Sequence, residues 1–159
     1  MLAMAVAVAI ALFRGIPVPW GIFGYYTALL AAMSWCFLGM GMLISSLARS
    51  TDLAQGAAFV LWLTLLLFLD LILLGVMIQG KVSPEVAVAI ALANPLQVFR
   101  TAALALFDPQ LIVLGPSAWV ILDHFGLPGY RVFALAYPAV LGLVTAGAGY
   151  LVFRRSDLP

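Results

Sequence analysis

Charge is scarce in this 159-residue chain: Lys and Arg number 7, Asp and Glu 6, and charged residues make up 8% against 66% hydrophobic. An average soluble domain carries ~25% charged residues. With a mean hydropathy of +1.21, the apolar surface exceeds what a water-soluble globule of this length can bury, so lipid has to be the solvent. A net charge of +1, with no basic cluster larger than Arg154-Arg155, gives no basis for nucleic-acid binding. Cysteine is limited to Cys36, which excludes an internal disulfide and leaves the redox compartment open. The single lysine, Lys81, stands in Gly80-Lys81-Val82, and the phosphate-binding pattern G-x-x-x-x-G-K-[ST] is absent. If ATP drives this protein, a partner hydrolyses it. The nucleophile elbow G-x-S-x-G is also missing, which argues against a Ser-His-Asp enzyme. The one histidine, His124 beside Asp123, makes a poor metal site and suits an interfacial position. Neither repeats nor low-complexity tracts occur.

Long uncharged runs supply the architecture. Residues 53–79 contain one charge, Asp70, and as a helix rising ~1.5 Å per residue they reach about 40 Å. A hydrocarbon core is ~30 Å thick, so this run spans it. Residues 21–47 form a second run of the same length, and the tight polar turn Arg49-Ser50-Thr51-Asp52 joins the two into a transmembrane hairpin around which the rest must be arranged. Thr51 or Asp52 is the expected helix N-cap. A third full span is expected over 132–153, stopped by Arg154-Arg155. Residues 1–13 are too short to cross, and no positive charge precedes them as in a signal peptide. They read as the outer part of a span whose beginning is missing. Gly15, Pro17 and Pro19 break the chain after it, and Trp20 suits the lipid–water boundary.

Residues 80–131 differ in kind. Ser83-Pro84, Asn94-Pro95 and Asp108-Pro109 each place an N-cap residue before a proline, which signals a helix start. The helices expected over 85–93, 96–107 and 117–125 are too short to cross, so they are re-entrant or interfacial. The fold class is therefore an all-α polytopic membrane bundle: three full spans, one truncated amino-terminal span, and short outer helices before the last span. Ala28, Ala32, Cys36 and Gly39 form one small-residue stripe, and Ala139, Gly142, Ala146 and Gly149 another. Such stripes let helix backbones approach closely in lipid.

Two roles are open to Asp70. A carboxylate within lipid costs ~2.5–3.5 kcal/mol on insertion scales, so it should face protein or a wet cavity, either along a transport path or as a hydrogen-bonded structural group. Met33, Cys36 and Met40 fall on one helix face, with Met42 nearby, and soft sulfur ligands suit Cu(I). Ordinary packing explains them as well, no further ligands converge on them, and no cofactor is assigned. Arg49, Arg154 and Arg155 fall on one side of the bundle against Arg14, Lys81, Arg100 and Arg131 on the other, which does not decide orientation by charge.

The order of features is distinctive. Leu43-Ile44-Ser45-Ser46-Leu47-Ala48-Arg49-Ser50 precedes a long span. A proline-broken stretch with Asn94-Pro95-Leu96-Gln97-Val98-Phe99-Arg100 follows, then a last span ending Phe153-Arg154-Arg155-Ser156-Asp157-Leu158. This order resembles the carboxyl-terminal part of ABC-2 type transporter permeases, over essentially the whole of 1–159. The resemblance implies four of six membrane segments, an inner-membrane location, a cytoplasmic ABC ATPase as partner and a permease homodimer. It would put Arg49, Ser50, Thr51 and Asp52 on the cytoplasmic side as an ATPase-coupling turn, and residues 80–131 on the outer side. Arg49 through Gly56, Asp70 and Phe107-Asp108-Pro109-Gln110 look most like the permeases that serve maturation of the copper–sulfur centre of nitrous oxide reductase. That likeness implies a periplasmic β-helix protein and a copper chaperone as further partners. Export of a drug, lipid or polysaccharide, or a non-transporting membrane anchor or scaffold, are the alternatives.

Overall fold

The computed structural model describes residues 2–15, 17–68, 84–107 and 116–155. Among these the chain is helical, without a strand: α1 (Leu2–Phe13), α2 (Trp20–Leu47), α3 (Thr51–Leu63), which continues as a π turn over Thr64–Phe68, α4 (Pro84–Leu92), α5 (Pro95–Leu104) and α6 (Pro116–Arg155). It is an all-α membrane helix bundle. Two described helices, Trp20–Leu47 and Asp123–Arg155, are long and apolar enough to cross a bilayer. The expected span over 53–79 is described only as far as Phe68; its remainder, Asp70 included, lies outside the described residues, as do Lys81 and Asp108-Pro109.

The bundle's axis is not the expected hairpin of α2 with α3. α2 packs most extensively against α6, whereas α3 buries none of its residues. The reason is steric. A side-chain carbon added at Gly39 would collide with the backbone carbonyl of Gly142, and one added at Gly142 would lie 2.6 Å from Trp35 Cδ1. One at Gly149 would lie 3.0 Å from Leu43 N. Glycine at these places lets two backbones meet, and close packing drives helix association in lipid. The small-residue stripes are thus the seam, except at Ala28, which is exposed.

The seam has a fixed register. Tyr25 with Arg131, Cys36 with Gly142 and Leu43 with Gly149 are neighbours, each pair 106 residues apart. A constant offset means that the two helices run in the same direction. Arg49 therefore ends level with Arg154 and Arg155, and the chain between α2 and α6 has to recross the membrane. Large apolar side chains such as Leu38 (65% exposed) and Val132 (67% exposed) face outward, as a helix surrounded by lipid requires.

α6 also differs from expectation at its start. The short helix expected over 117–125 is present and ends at Gly126, whose non-helical backbone (φ 61, ψ 164) divides α6 in two; the last span begins just past Gly126 rather than at Val132. Past Gly126 the span resumes at once, because Pro128 sits in its first turn, where a missing N–H costs nothing. Pro138 lies fully buried inside the same span, although proline ordinarily interrupts a helix.

Candidate functional site

α4 and α5 meet at Ala93 and Asn94. The Tyr137 hydroxyl donates to the Ala93 carbonyl at 2.6 Å. At the seam's offset Tyr137 stands level with Ala31, near the midpoint of the 28-residue α2. α5 then climbs back along α2 and α6. Tyr130 OH donates to Val98 O at 3.4 Å, and the Phe99 and Tyr26 rings lie 6.1 Å apart. Beyond them Leu106 and Phe107 share a groove with Val18 and Pro19. The pair is thus a helical hairpin whose tip lies level with the middle of α2, the arrangement expected of a re-entrant segment. Non-helical backbone at that depth persists only when buried in protein. Here Leu29, Val88, Val98, Ala102, Tyr130 and Ala134 form the surrounding core.

The tip is satisfied group by group. Asn94, 1% exposed, caps α5 as its Asn-Pro signature predicts, Oδ1 accepting from Leu96 N at 3.0 Å. Its Nδ2 donates to Leu65 O at 2.7 Å. Leu65 belongs to the π turn, where the backbone ladder shifts register. The cap was legible in the sequence. The second bond joins residues 29 apart, and no local pattern signals it.

At the opposite end of α3 lies the turn. Ala48 N closes α2 on Ile44 O at 3.0 Å, and Ser50 then takes an extended conformation. Ser50 Oγ accepts from Leu53 N at 3.3 Å, so the N-cap is Ser50 rather than Thr51 or Asp52. The expectation placed the helix start one or two residues late, because all three residue types cap well. Thr51 and Asp52 occupy the first turn, and Arg49, Ser50, Thr51 and Asp52 are all exposed. Between turn and tip, α3 is splayed from the seam. A groove of about 820 Å³, lined among others by Met40, Ile44, Gly56, Val60, Thr64 and Thr145, separates α3 from α2 and α6.

Met33, Cys36 and Met40 are buried together on α2, Cys36 completely. Cys36 lies in the seam, where its backbone meets Gly142, and Met40 lines the groove beside α3. Among the described residues no group of three His, Cys, Asp or Glu side chains converges. His124 and Asp123 are exposed just before the Gly126 kink. Arg131 lies with its guanidinium 5.9 Å from the Tyr25 ring, whose hydroxyl donates to Arg131 O at 2.9 Å.

This geometry agrees with comparison to known proteins. The sequence profile described as ABC-2 family transporter protein matches residues 1–158. The chain belongs to the ABC-2 transporter family. A probable ABC transporter permease protein NosY from Stutzerimonas stutzeri is 30% identical over 136 residues, covering 84% of this chain and 48% of the relative. One of the same description from Pseudomonas aeruginosa is 32% identical over 90 residues, covering 55% of this chain and 33% of the relative. The chain therefore spans about half the length of the curated relatives it matches. No solved structure matches significantly. Membership of the ABC-2 family accounts for the mostly apolar, outward-facing helices.

Proposed function

We propose that this chain forms the carboxyl-terminal part of a multi-pass inner-membrane ABC-2 permease, which works with a separate cytoplasmic ATPase and does not hydrolyse ATP itself. The turn at Arg49, Ser50, Thr51 and Asp52 is the contact through which the ATPase moves the membrane helices. The observation that carries this reading is the level placement of that exposed turn with Arg154 and Arg155. The likeness to ABC-2 permeases, rather than the balance of basic residues between the two ends, supports the cytoplasmic face for this end. The re-entrant hairpin then opens toward the periplasm. Two permease copies pair with the ATPase.

We infer the cargo from the likeness to these relatives. Likeness to permeases named NosY supports service in maturation of the nitrous oxide reductase copper–sulfur centre, together with a periplasmic β-helix protein and a copper chaperone. Asp70 then serves either the transport path or the fold.

Co-purification with the ATPase tests the turn. Arg49→Glu places a like charge against an acidic partner surface, or removes an attraction, and should weaken association about tenfold. It should lower ATP turnover in proteoliposomes in parallel. Unchanged association and turnover would overturn the role of the turn. Genes for the β-helix protein and the chaperone adjacent to this one would support the maturation reading over export of another cargo.

A further inference from the structure

Among the described residues, α3 and its π turn touch the rest of the bundle in two places: α2 beside the 49–52 turn, and α5 at the hairpin tip. Between those points lies the 820 Å³ groove, so α3 has room to tilt against the seam. The seam itself is rigid, since Gly39, Gly142 and Gly149 leave no slack between backbones. The π turn over Thr64–Phe68 departs from the regular ladder of α3 where the second contact is made. Such departures are weak points of a helix and recur at functional positions. One polar bond closes that contact, from Asn94 Nδ2 to Leu65 O at 2.7 Å. The same side chain fixes the first turn of α5 through Leu96 N, so a pull on Leu65 is delivered to the start of α5.

We propose that Asn94 is the positioning residue that transmits α3's displacement to the re-entrant hairpin. Motion imposed at the 49–52 turn swings α3 across the groove. Asn94 carries that swing into α5, while Tyr137, bonded to Ala93 O at 2.6 Å, keeps the other side of the tip anchored to the immobile seam. The hairpin is thereby pulled from α3 and held from α6, and shear between packed helices follows. This inference rests on the ATPase-coupled reading of the turn.

The test uses the full-length permease with its ATPase in proteoliposomes, with spin labels on α3 and α5 and a third on the seam as reference. In the unmodified complex, nucleotide trapping should move both the α3 and α5 labels relative to the seam. Asn94→Ser keeps an oxygen for the α5 cap but is too short to reach Leu65. It should leave ATPase association and the α3 displacement intact and abolish the α5 displacement, a split that mere loss of stability would not give. Where Asn94→Ser does not assemble, Asn94→Gly serves, since glycine is tolerated at an N-cap. An α5 displacement retained in these variants would overturn the role of Asn94 and leave the coupling reading standing. Absence of nucleotide-dependent movement in the unmodified complex would bring down the coupling reading, and the role of Asn94 with it.

Discussion

Glycine at the seam and glycine on the open faces carry opposite expectations. Gly39→Ala or Gly142→Ala forces backbones apart along the α2–α6 contact, and overpacking of this kind costs about 1–3 kcal/mol. Gly147→Ala meets nothing within 4 Å and should be neutral, or stabilising by about 0.5–1 kcal/mol through helix propensity. Thermal unfolding in detergent, followed by tryptophan fluorescence, distinguishes them. Equal effects at Gly142 and Gly147 would refute the seam. The small-residue stripes were readable in the sequence because i, i+3, i+4 spacing is local, but which stripe meets which was not. Gly39 and Gly142 are paired by tertiary packing, and neither residue's neighbours record the partner. Ala28 belongs to the stripe by spacing and lies exposed, since the periodicity of a helix continues past the end of a contact. The sulfur face of Met33, Cys36 and Met40 follows the same logic. Spacing placed the three together, and all three are buried on α2.

At the scale of elements, the re-entrant hairpin depends on two local instructions. Asn94-Pro95 starts α5 where the chain must reverse, and Gly126 lets the chain enter the last span. With φ 61 and ψ 164, Gly126 occupies a region that is essentially closed to other residues. Gly126→Ala should therefore cost about 1–3 kcal/mol, read as a lowered unfolding temperature of the detergent-solubilised protein. A wild-type unfolding temperature in that variant would mean that the kink relaxes without strain. The sequence announced a break at residues 126–129 but suggested a loop ending near Arg131. Proline beside glycine reads as a turn unless the proline falls within a helix's first turn, and only the backbone of α6 settles that. The π turn of α3 had no sequence signal at all, since Thr64–Phe68 is as apolar as its flanks.

Across the whole molecule, crossing parity governs the sidedness of every segment. With α2 and the last span parallel, the 49–52 turn and the carboxyl end of α6 share one face, and the opening of the hairpin belongs to the other. A membrane-impermeant maleimide should label Ser50→Cys only in inverted vesicles, and a cysteine at exposed Phe107 only in right-side-out cells. Completely buried Cys36 should stay unreactive in both. Labelling of Ser50→Cys from outside would reverse the proposed orientation while leaving the fold intact. The bundle architecture could be read from hydropathy because lipid imposes span length directly. The choice of α6 rather than α3 as α2's main partner could not. Both candidates are oily throughout, and only backbone clearance separates them.

The shared direction of α2 and α6 has an electrostatic consequence. Peptide dipoles sum along each helix to roughly half an elementary charge at each end, negative at the carboxyl terminus. Two such termini side by side concentrate close to one full negative charge, fixed in the main chain and beyond the reach of mutation. Arg154 and Arg155, in the final turn of α6, stand against that field, and Asp52 answers the opposite pole where α3 begins. Part of the arginines' positive charge is therefore spent on the protein's own carbonyls, and less of it remains for anionic headgroups than a count of side chains suggests.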